Sequence, residues 1–433
     1  MKKVYMSMST DVIHHGHIRI INRAAQLGEL TIGVLSDEAI SRYKRFPLLR
    51  YEQRAEIIRN LKGVSHVVEQ KKLDYTENLL ALKPDIVVHG DNWVHGVQEP
   101  IRRQVIKVLK SYGGELVEFP YSESEDIAAL EADVRRKLSM PEKRRARLRA
   151  LIGMKPVVRV LEAHNGLSGL IVEETRVQHD GCIEQFDAMW VSSLCDSTIK
   201  GKPDIELVDN TSRLNTIDEI MEVTTKPIIL DGDTGGKIEH FEFLVKTLER
   251  MGVSAVIIED KEGLKKNSLF GTEVTQQQAS IEDFSQKIAA GKSVLTTRDF
   301  MIIARIESLI LERGMDDALA RAFAFAGAGA DGIMIHSRQK SPDEIFEFIE
   351  KFRARDGSTP LVVVPTTFNA VKEREWGKRG VNIVIYANQL IRSAFPAMEA
   401  VARMILQSGR CKEADEQLCM PISQILTLIP GAK

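Results

Sequence analysis

Pro227-Ile228-Ile229-Leu230-Asp231-Gly232-Asp233-Thr234-Gly235-Gly236 is an apolar run of strand length that stops at two carboxylates one residue apart and a glycine-rich turn. The same pattern recurs downstream: Ile258 leads into Glu259-Asp260-Lys261, Ala304 into Arg305-Ile306-Glu307, and Ile335 into His336-Ser337. From Pro156 onward eight strand candidates follow in order, at 157–163, 188–192, 227–230, 255–258, 301–305, 332–335, 361–364 and 382–386. Helix-length stretches at 238–251, 280–290, 316–327 and 342–353 separate several of them. Eight β/α repeats in roughly 240 residues is the count that closes a barrel, whose active site lies at the carboxyl ends of its strands. The polar residues after each apolar run are therefore the ones to read for chemistry.

Two aspartates at i and i+2 with a glutamate on the neighbouring strand form an oxygen-rich corner that suits Mg²⁺ with retained waters. A divalent cation beside Arg305 and His336 in turn suits a small dianionic substrate. An Asp-Gly-Asp after a strand also serves as a plain turn; the coincidence of four chemical strand ends favours a site.

Upstream, residues 1 to about 135 alternate apolar strands at 4–8, 30–35, 64–69, 85–89 and 115–119 with helical stretches from His15 and at 51–61, 76–82 and 101–112. That alternation implies a parallel, Rossmann-like sheet. Between the blocks lie Pro141, the basic run Lys143, Arg144, Arg145, Arg147 and Arg149, then Gly153 and Pro156. The run is read as a solvated linker helix. The expected division is 1–138, a basic linker at 139–155, and a barrel with C-terminal helices over 156–433. Over the whole chain 43% of residues are apolar, 28% are charged and the net charge is −2. Nothing there points to nucleic acid or to a membrane surface, and small-molecule substrates are expected. Four scattered cysteines without a CxxC pair, no apolar stretch behind Met1-Lys2-Lys3, and no run long enough to span a bilayer place the protein in the cytoplasm.

The barrel block resembles the phosphoenolpyruvate mutase branch of the isocitrate lyase superfamily from about residue 155 to 400. The resemblance is carried by Leu161-Glu162-Ala163-His164-Asn165-Gly166-Leu167-Ser168, by Trp190-Val191-Ser192-Ser193-Leu194, by the 230–236 loop, and by Glu259-Asp260-Lys261-Glu262-Gly263-Leu264-Lys265-Lys266-Asn267-Ser268, which matches the family's gating loop. It implies interconversion of phosphoenolpyruvate and phosphonopyruvate with Mg²⁺. Asp231 would hold the metal, with Asp233 and Glu259 completing its shell. Ser192 and the amides of Ser193 and Leu194 would bind one anionic end of the substrate, with Trp190 against its planar face. Arg305 and His336 would grip the phosphoryl group, and Asp204, Lys265, Asn267 and Ser268 would complete the closed site, Asn267 steering the migrating group. The superfamily's lyases carry a cysteine in a K-[KR]-C-G-H segment where this chain reads Lys-Lys-Asn-Ser, which disfavours a C–C lyase. Phosphonopyruvate hydrolase, which shares the metal site, is the alternative. Ser193 stands where the family usually has glycine, and the amide is taken to matter more than the side chain. Relatives of this barrel usually exchange a C-terminal helix between subunits, so a homodimer or tetramer is expected.

His14-His15-Gly16-His17 after the first strand is an HxGH motif at a helix start, where imidazoles and free backbone N–H groups can stabilise an attacked α-phosphate. With Ser9, Asp11, Lys44, Arg54 and Gly90-Asp91-Asn92-Trp93 it resembles the small cytidylyltransferases over residues 3 to about 120. The resemblance implies a CTP site at Ser9, Asp11, His14, His17, Lys44, Arg54 and Asp91, with cytidylyl transfer to a phosphonate. The family's triphosphate cradle is replaced by Pro120-Tyr121-Ser122-Glu123-Ser124-Glu125-Asp126. Its carboxylates repel triphosphate unless Mg²⁺ intervenes. Two readings stay open for this block: an active transferase, or a non-catalytic binding and oligomerisation module.

Overall fold

The computed structural model describes residues 1–43, 47–94, 98–120, 125–179, 182–263 and 265–429. The N-terminal block is a five-stranded parallel sheet of Lys3–Met8 (β1), Glu29–Leu35 (β2), His66–Gln70 (β3), Ile86–Gly90 (β4) and Glu115–Phe119 (β5), in the order β3-β2-β1-β4-β5. The order reverses between β1 and β4, the switch point at which open α/β sheets bind ligands beyond their strand ends. The HxGH motif follows β1 and Asp91 follows β4.

All eight barrel strands expected from the sequence form: Val158–Glu162 (β6), Ala188–Val191 (β7), Ile228–Asp231 (β8), Ala255–Glu259 (β9), Met301–Ile306 (β10), Gly332–Ile335 (β11), Leu361–Val363 (β12) and Ile383–Tyr386 (β13). They pair in chain order, and β13 closes the cylinder against β6 with Ile385 opposite Val160. Strand alternation divides the core in two. Val160, Ile229, Ile257, Ile303, Met334 and Ile385 fill the interior, while Leu230, Ile258, Ile302 and Ile333 face the helices. The same period of two puts Trp190 (after Ala188), Asp231 (after Ile229), Glu259 (after Ile257), Arg305 (after Ile303) and His336 (after Met334) on the inward face at the carboxyl mouth.

The basic run differs from its expected role. Pro141–Met154 is a helix whose Arg144, Arg145 and Arg147 are buried rather than solvated. Arg144 donates to the Thr224 carbonyl at 3.0 Å, Arg145 to Glu249 at 2.7 Å, and Arg147 to Thr225. Leu148 and Leu151 pack with the interior residues Val158 and Ile229. Guanidinium groups meet carbonyls at helix and loop ends, so the helix plugs the amino end of the barrel.

A hairpin, Arg176–His179 paired with Cys182–Gln185, leaves the barrel after its first helix and reaches the N-terminal domain. Ile183 lies in that domain's core with Tyr5, Leu35 and Ile40. No helix among the described residues is long and apolar enough to cross a membrane. Cys195, Cys411 and Cys419 are free thiols.

Candidate active site

One cavity at the carboxyl mouth of the barrel is lined by Trp190, Ser192, Ser193, Leu194, Asp204, Asp231, Lys265, Asn267, Ser268, Arg305 and His336. Every residue expected for catalysis or substrate binding in the barrel is thus gathered in one chamber. Ser192 caps the helix Ser193–Ile199, leaving that helix's first amides at the cavity, the arrangement that receives an anion.

The lid enters from the loop after β9, through residues 261–263 and 265–273. Lys265 bonds Asp233 and Ser193 and lies 3.0 Å from Asp204, while Asn267 donates to Asp204 Oδ2 at 2.9 Å. Lys261 Nζ ties the loop's base to the Lys266 carbonyl at 2.9 Å, Ser268 at 3.1 Å and Gln276 at 3.0 Å. Ser268 Oγ donates to Glu307 at 2.5 Å and accepts from Arg305 at 2.5 Å, latching the lid to β10.

Glu307 was not assigned from the sequence, although it lies two residues beyond Arg305 and so on the same strand face. It accepts from Arg305 Nε at 2.6 Å. Burial opposes its ionisation, but Arg305 and Lys261 hold its carboxyl well below the usual range. Burial and then Arg305 push His336 down, which makes it a neutral imidazole. Arg305 donates to its Nδ1 at 3.0 Å, so the ring proton sits on Nε2.

Burial alone would raise Asp231, yet Lys265, Arg305 and Arg213 outweigh it and hold the carboxyl at about 2. Ser193, whose side chain the sequence reading discounted, donates to Asp231 Oδ2 from Oγ at 2.8 Å and from its amide at 3.2 Å. Asp233 takes a left-handed φ of 52°, uncommon without a glycine, and its Oδ2 accepts from Arg213 at 2.8 Å. Glu259 is pushed up to about 7 by burial, against the pull of Arg305 and Lys261.

The closed three-carboxylate corner does not form as expected. Among the described residues no three His, Cys, Asp or Glu side chains converge on one point. Lys265 lies against Asp231 and Asp233, and Glu259 lies against Lys261 at 3.1 Å and Arg305 at 3.4 Å. Buried carboxylates need compensating charge, and the lid lysine and β10 arginine supply it. Mg²⁺ needs only one or two carboxylates beside its waters. Asp231 and the two Glu259 oxygens, neither of which has a hydrogen-bond partner, fit that requirement.

In the N-terminal domain His14 Nδ1 accepts from the Gly16 amide at 3.2 Å and His17 Nδ1 accepts from the His14 amide at 3.4 Å. The two rings lie 3.9 Å apart. Asp91 is exposed at the end of β4, and Trp93 beside it is buried, stacked on His89 at 3.7 Å. Asp11 holds the Leu48 and Leu49 amides at 2.6 and 3.1 Å. Arg54, expected at the nucleotide, is fully buried instead. It donates to the carbonyls of Leu49, Ser9 and Leu35 and to Asp37, engaging four of its five N–H donors, so it braces the loop rather than facing a phosphate. Lys44 and 121–124 lie outside the described residues.

Comparison with known proteins separates the two halves. Residues 9–153 match the cytidylyltransferase-like family, and residues 148–406 match the phosphoenolpyruvate phosphomutase family. A phosphoenolpyruvate phosphomutase of Tetrahymena pyriformis is 38% identical over 60% of this chain and 83% of its own length. A phosphonopyruvate hydrolase of Variovorax sp. is 35% identical over 63% of this chain and 90% of its own. A solved phosphonopyruvate hydrolase in complex with oxalate and Mg²⁺ superposes with a TM-score of 0.58 at 33% identity, covering 66% of this chain and 94% of that one. Strand parity, the lid and the matched span of 148–406 agree, and the chain belongs to the phosphoenolpyruvate phosphomutase family, carrying a cytidylyltransferase-like domain at its N-terminus.

Proposed function

We propose that the barrel interconverts phosphoenolpyruvate and phosphonopyruvate, forming the C–P bond of phosphonate biosynthesis. The observation that carries this reading is the lid: Asn267 and Ser268, in place of a lyase's cysteine, reach across the mouth to Asp204 and Glu307 over the cavity that holds Arg305 and His336. In the forward direction the bond from phosphorus to the enol oxygen breaks, a bond from phosphorus to the methylene carbon forms, and the enol becomes a ketone with no net proton change. Such a transfer asks for positioning and charge more than for covalent chemistry. Ser192 and the Leu194 amide hold the carboxylate end, next to Ser193, whose own amide and hydroxyl are engaged by Asp231, and Trp190 lies against the planar carbon skeleton. Arg305, oriented by Glu307, and His336 through Nε2–H hold the phosphoryl oxygens. Asn267 accompanies the group between oxygen and carbon, and the lid excludes the water that would divert it to phosphate. Asp231 and Glu259 would hold Mg²⁺, with Asp233 kept beside them by Arg213 and Lys265, and the bound ion would supply positive charge to the substrate oxygens.

Phosphonopyruvate hydrolase is the second reading, favoured by a similarity almost as high as that to the mutase. A phosphorus NMR time course on phosphonopyruvate with the full chain and Mg²⁺ separates the two. Phosphoenolpyruvate is expected; pyruvate and inorganic phosphate instead would establish the hydrolase.

For the N-terminal domain the proposed activity is CTP-dependent cytidylyl transfer to a phosphonate, supported by the HxGH motif at the start of the helix after β1 and by Asp91 after β4, the two strands that flank the switch point of the sheet. Pyrophosphate release from CTP with an aminoalkyl- or hydroxyalkylphosphonate tests it, and no release with no CTP binding leaves a binding and oligomerisation module. The proposed assembly is a homodimer or tetramer in the cytoplasm. Its support is the helix Gln389–Ser408, which buries only Ile391 and exposes Phe395, Met398 and Leu406.

A further inference from the structure

Ser193 opens the helix Ser193–Ile199 and is 4% exposed, at the position where relatives of the barrel usually have glycine. A hydroxyl can donate once and accept as well, and this one does both. Its Oγ donates to Asp231 Oδ2 at 2.8 Å and accepts from Lys265 of the lid. Lys265 is itself buried, and the three donors of its ammonium meet three acceptors: Ser193, Asp233 and, at 3.0 Å, Asp204. Two of those acceptors are shared, since Asp233 also takes Arg213 and Asp204 also takes Asn267. A buried donor that loses its acceptor keeps the whole cost of its desolvation. A glycine at 193 offers Lys265 no acceptor there.

We propose that the Ser193 hydroxyl is a catch that holds the lid lysine down on the barrel mouth, a positioning residue that acts through Lys265 to keep water from the phosphoryl group in transit. The water-excluding half rests on the mutase reading; the catch itself does not. A lid that lifts admits water, which diverts phosphonopyruvate to pyruvate and inorganic phosphate. In that diversion the bond from phosphorus to carbon breaks, a bond from phosphorus to the water oxygen forms, and a proton of the water ends on the methylene carbon.

Two measurements on the full chain compare wild type with Ser193→Ala. Trypsin cleavage after Lys265 is followed by mass spectrometry and divided by cleavage after Lys412, whose side chain is 63% exposed. Trypsin can cut only once Lys265 has left its three partners, so with cleavage slow against reclosing the rate reads the open fraction of the lid. The ratio is expected to rise about tenfold, the factor that ~1.4 kcal/mol carries, and a rise below about threefold overturns the catch. Phosphorus NMR then reads how the phosphonopyruvate consumed divides between inorganic phosphate and phosphoenolpyruvate. The phosphate share relative to phosphoenolpyruvate is expected to rise by a similar factor. A serine that only shaped the surroundings of Asp231 would slow both products alike, so an unchanged division at lower turnover overturns the water-excluding role. Should Ser193→Ala fail to fold, Ser193→Gly removes the same hydroxyl and answers to the same thresholds. Wild type that yields only pyruvate and phosphate, or leaves phosphonopyruvate untouched, removes the mutase reading and the water-excluding role with it, while the trypsin ratio still decides on the catch.

Discussion

Glu259 is a carboxylate kept at the site against its own solvation. Its folded-state value of about 7 lies above the ordinary 4.5, so the unfolded chain gives up this proton at lower pH than the folded one. Unfolding in that window releases a proton, and the contribution of Glu259 to stability falls as pH rises from about 4.5 to about 7, then levels off. Glu259→Gln removes the titration without breaking a hydrogen bond, because neither carboxylate oxygen has such a partner. Denaturant unfolding in the presence of a chelator should show no gain for the variant near pH 4.5 and a gain growing to about 3 kcal/mol at most by pH 8. A difference that stays constant with pH would refute the buried, strained carboxylate. The gain in stability should accompany a loss of turnover, since groups that serve chemistry are held where folding alone would not put them. Glu259, Arg305 and His336 were legible because a strand's period of two carries the apolar pattern directly into its last, chemical residue. Arg213 was not, for it sits in mid-helix and owes its role to a fold-dependent meeting with Asp233. Glu307 was quoted but left unassigned, although the same alternation that exposes Arg305 also places it.

At the scale of elements, the strands were legible and the helix Pro141–Met154 was misread, because a run of arginines carries the same signature on a solvated face as against a ring of carbonyls. Only the closed barrel presents that ring. The helix begins at Pro141, which packs on Gly252 at φ 90°, and a Cβ added there would fall 2.5 Å from Pro141 Cα and 2.8 Å from its carbonyl oxygen. Gly252→Ala must therefore bear both a left-handed backbone and displacement of the helix start. Gly314, at φ 88° with open space around its Cβ direction, isolates the backbone effect alone. We expect Gly314→Ala to cost about 1 kcal/mol and Gly252→Ala about 2–3 kcal/mol in equilibrium unfolding. The Michaelis constant for phosphonopyruvate should be unaltered in both, because the cavity lies at the opposite end of the strands. Equal losses in the two variants would mean that the helix does not seat on the barrel floor. Arg54 shows the same limit: its position in a Tyr-Glu-Gln-Arg stretch suggested a nucleotide contact, whereas the folded loop turns its donors onto backbone carbonyls.

The whole molecule is joined by more than a connecting helix. The hairpin after the first barrel helix plants Ile183, 2% exposed, among Tyr5, Leu35, Ile40 and Trp93, and Gln185 donates to the Ser41 carbonyl at 2.7 Å. Glu184 bridges Arg42 of the N-terminal domain at 2.9 Å and Arg159 of β6. Ser41 and Arg42 belong to the helix Asp37–Tyr43, whose Asp37 holds Arg54, and Arg54 in turn braces the Ser9 and Leu49 carbonyls beside the HxGH turn. The barrel thus completes the core of its neighbour and supports the loop on which any nucleotide would rest. A fragment ending at residue 138 lacks the side chain that fills this core, so tests of CTP chemistry belong on the full chain. Ile183→Asp buries an unpaired carboxylate at the same point and should destabilise the N-terminal domain by about 3–5 kcal/mol. Calorimetry should then show that domain melting earlier, proteolysis should open 1–138 first, and CTP-dependent pyrophosphate release, where wild type shows it, should fall with it. Conversion of phosphonopyruvate should stay within about twofold of wild type, because Ile183 lies outside the barrel cavity and interactions at separated sites are close to additive. An unmoved N-terminal transition in this variant would show that the domain stands without the barrel's support.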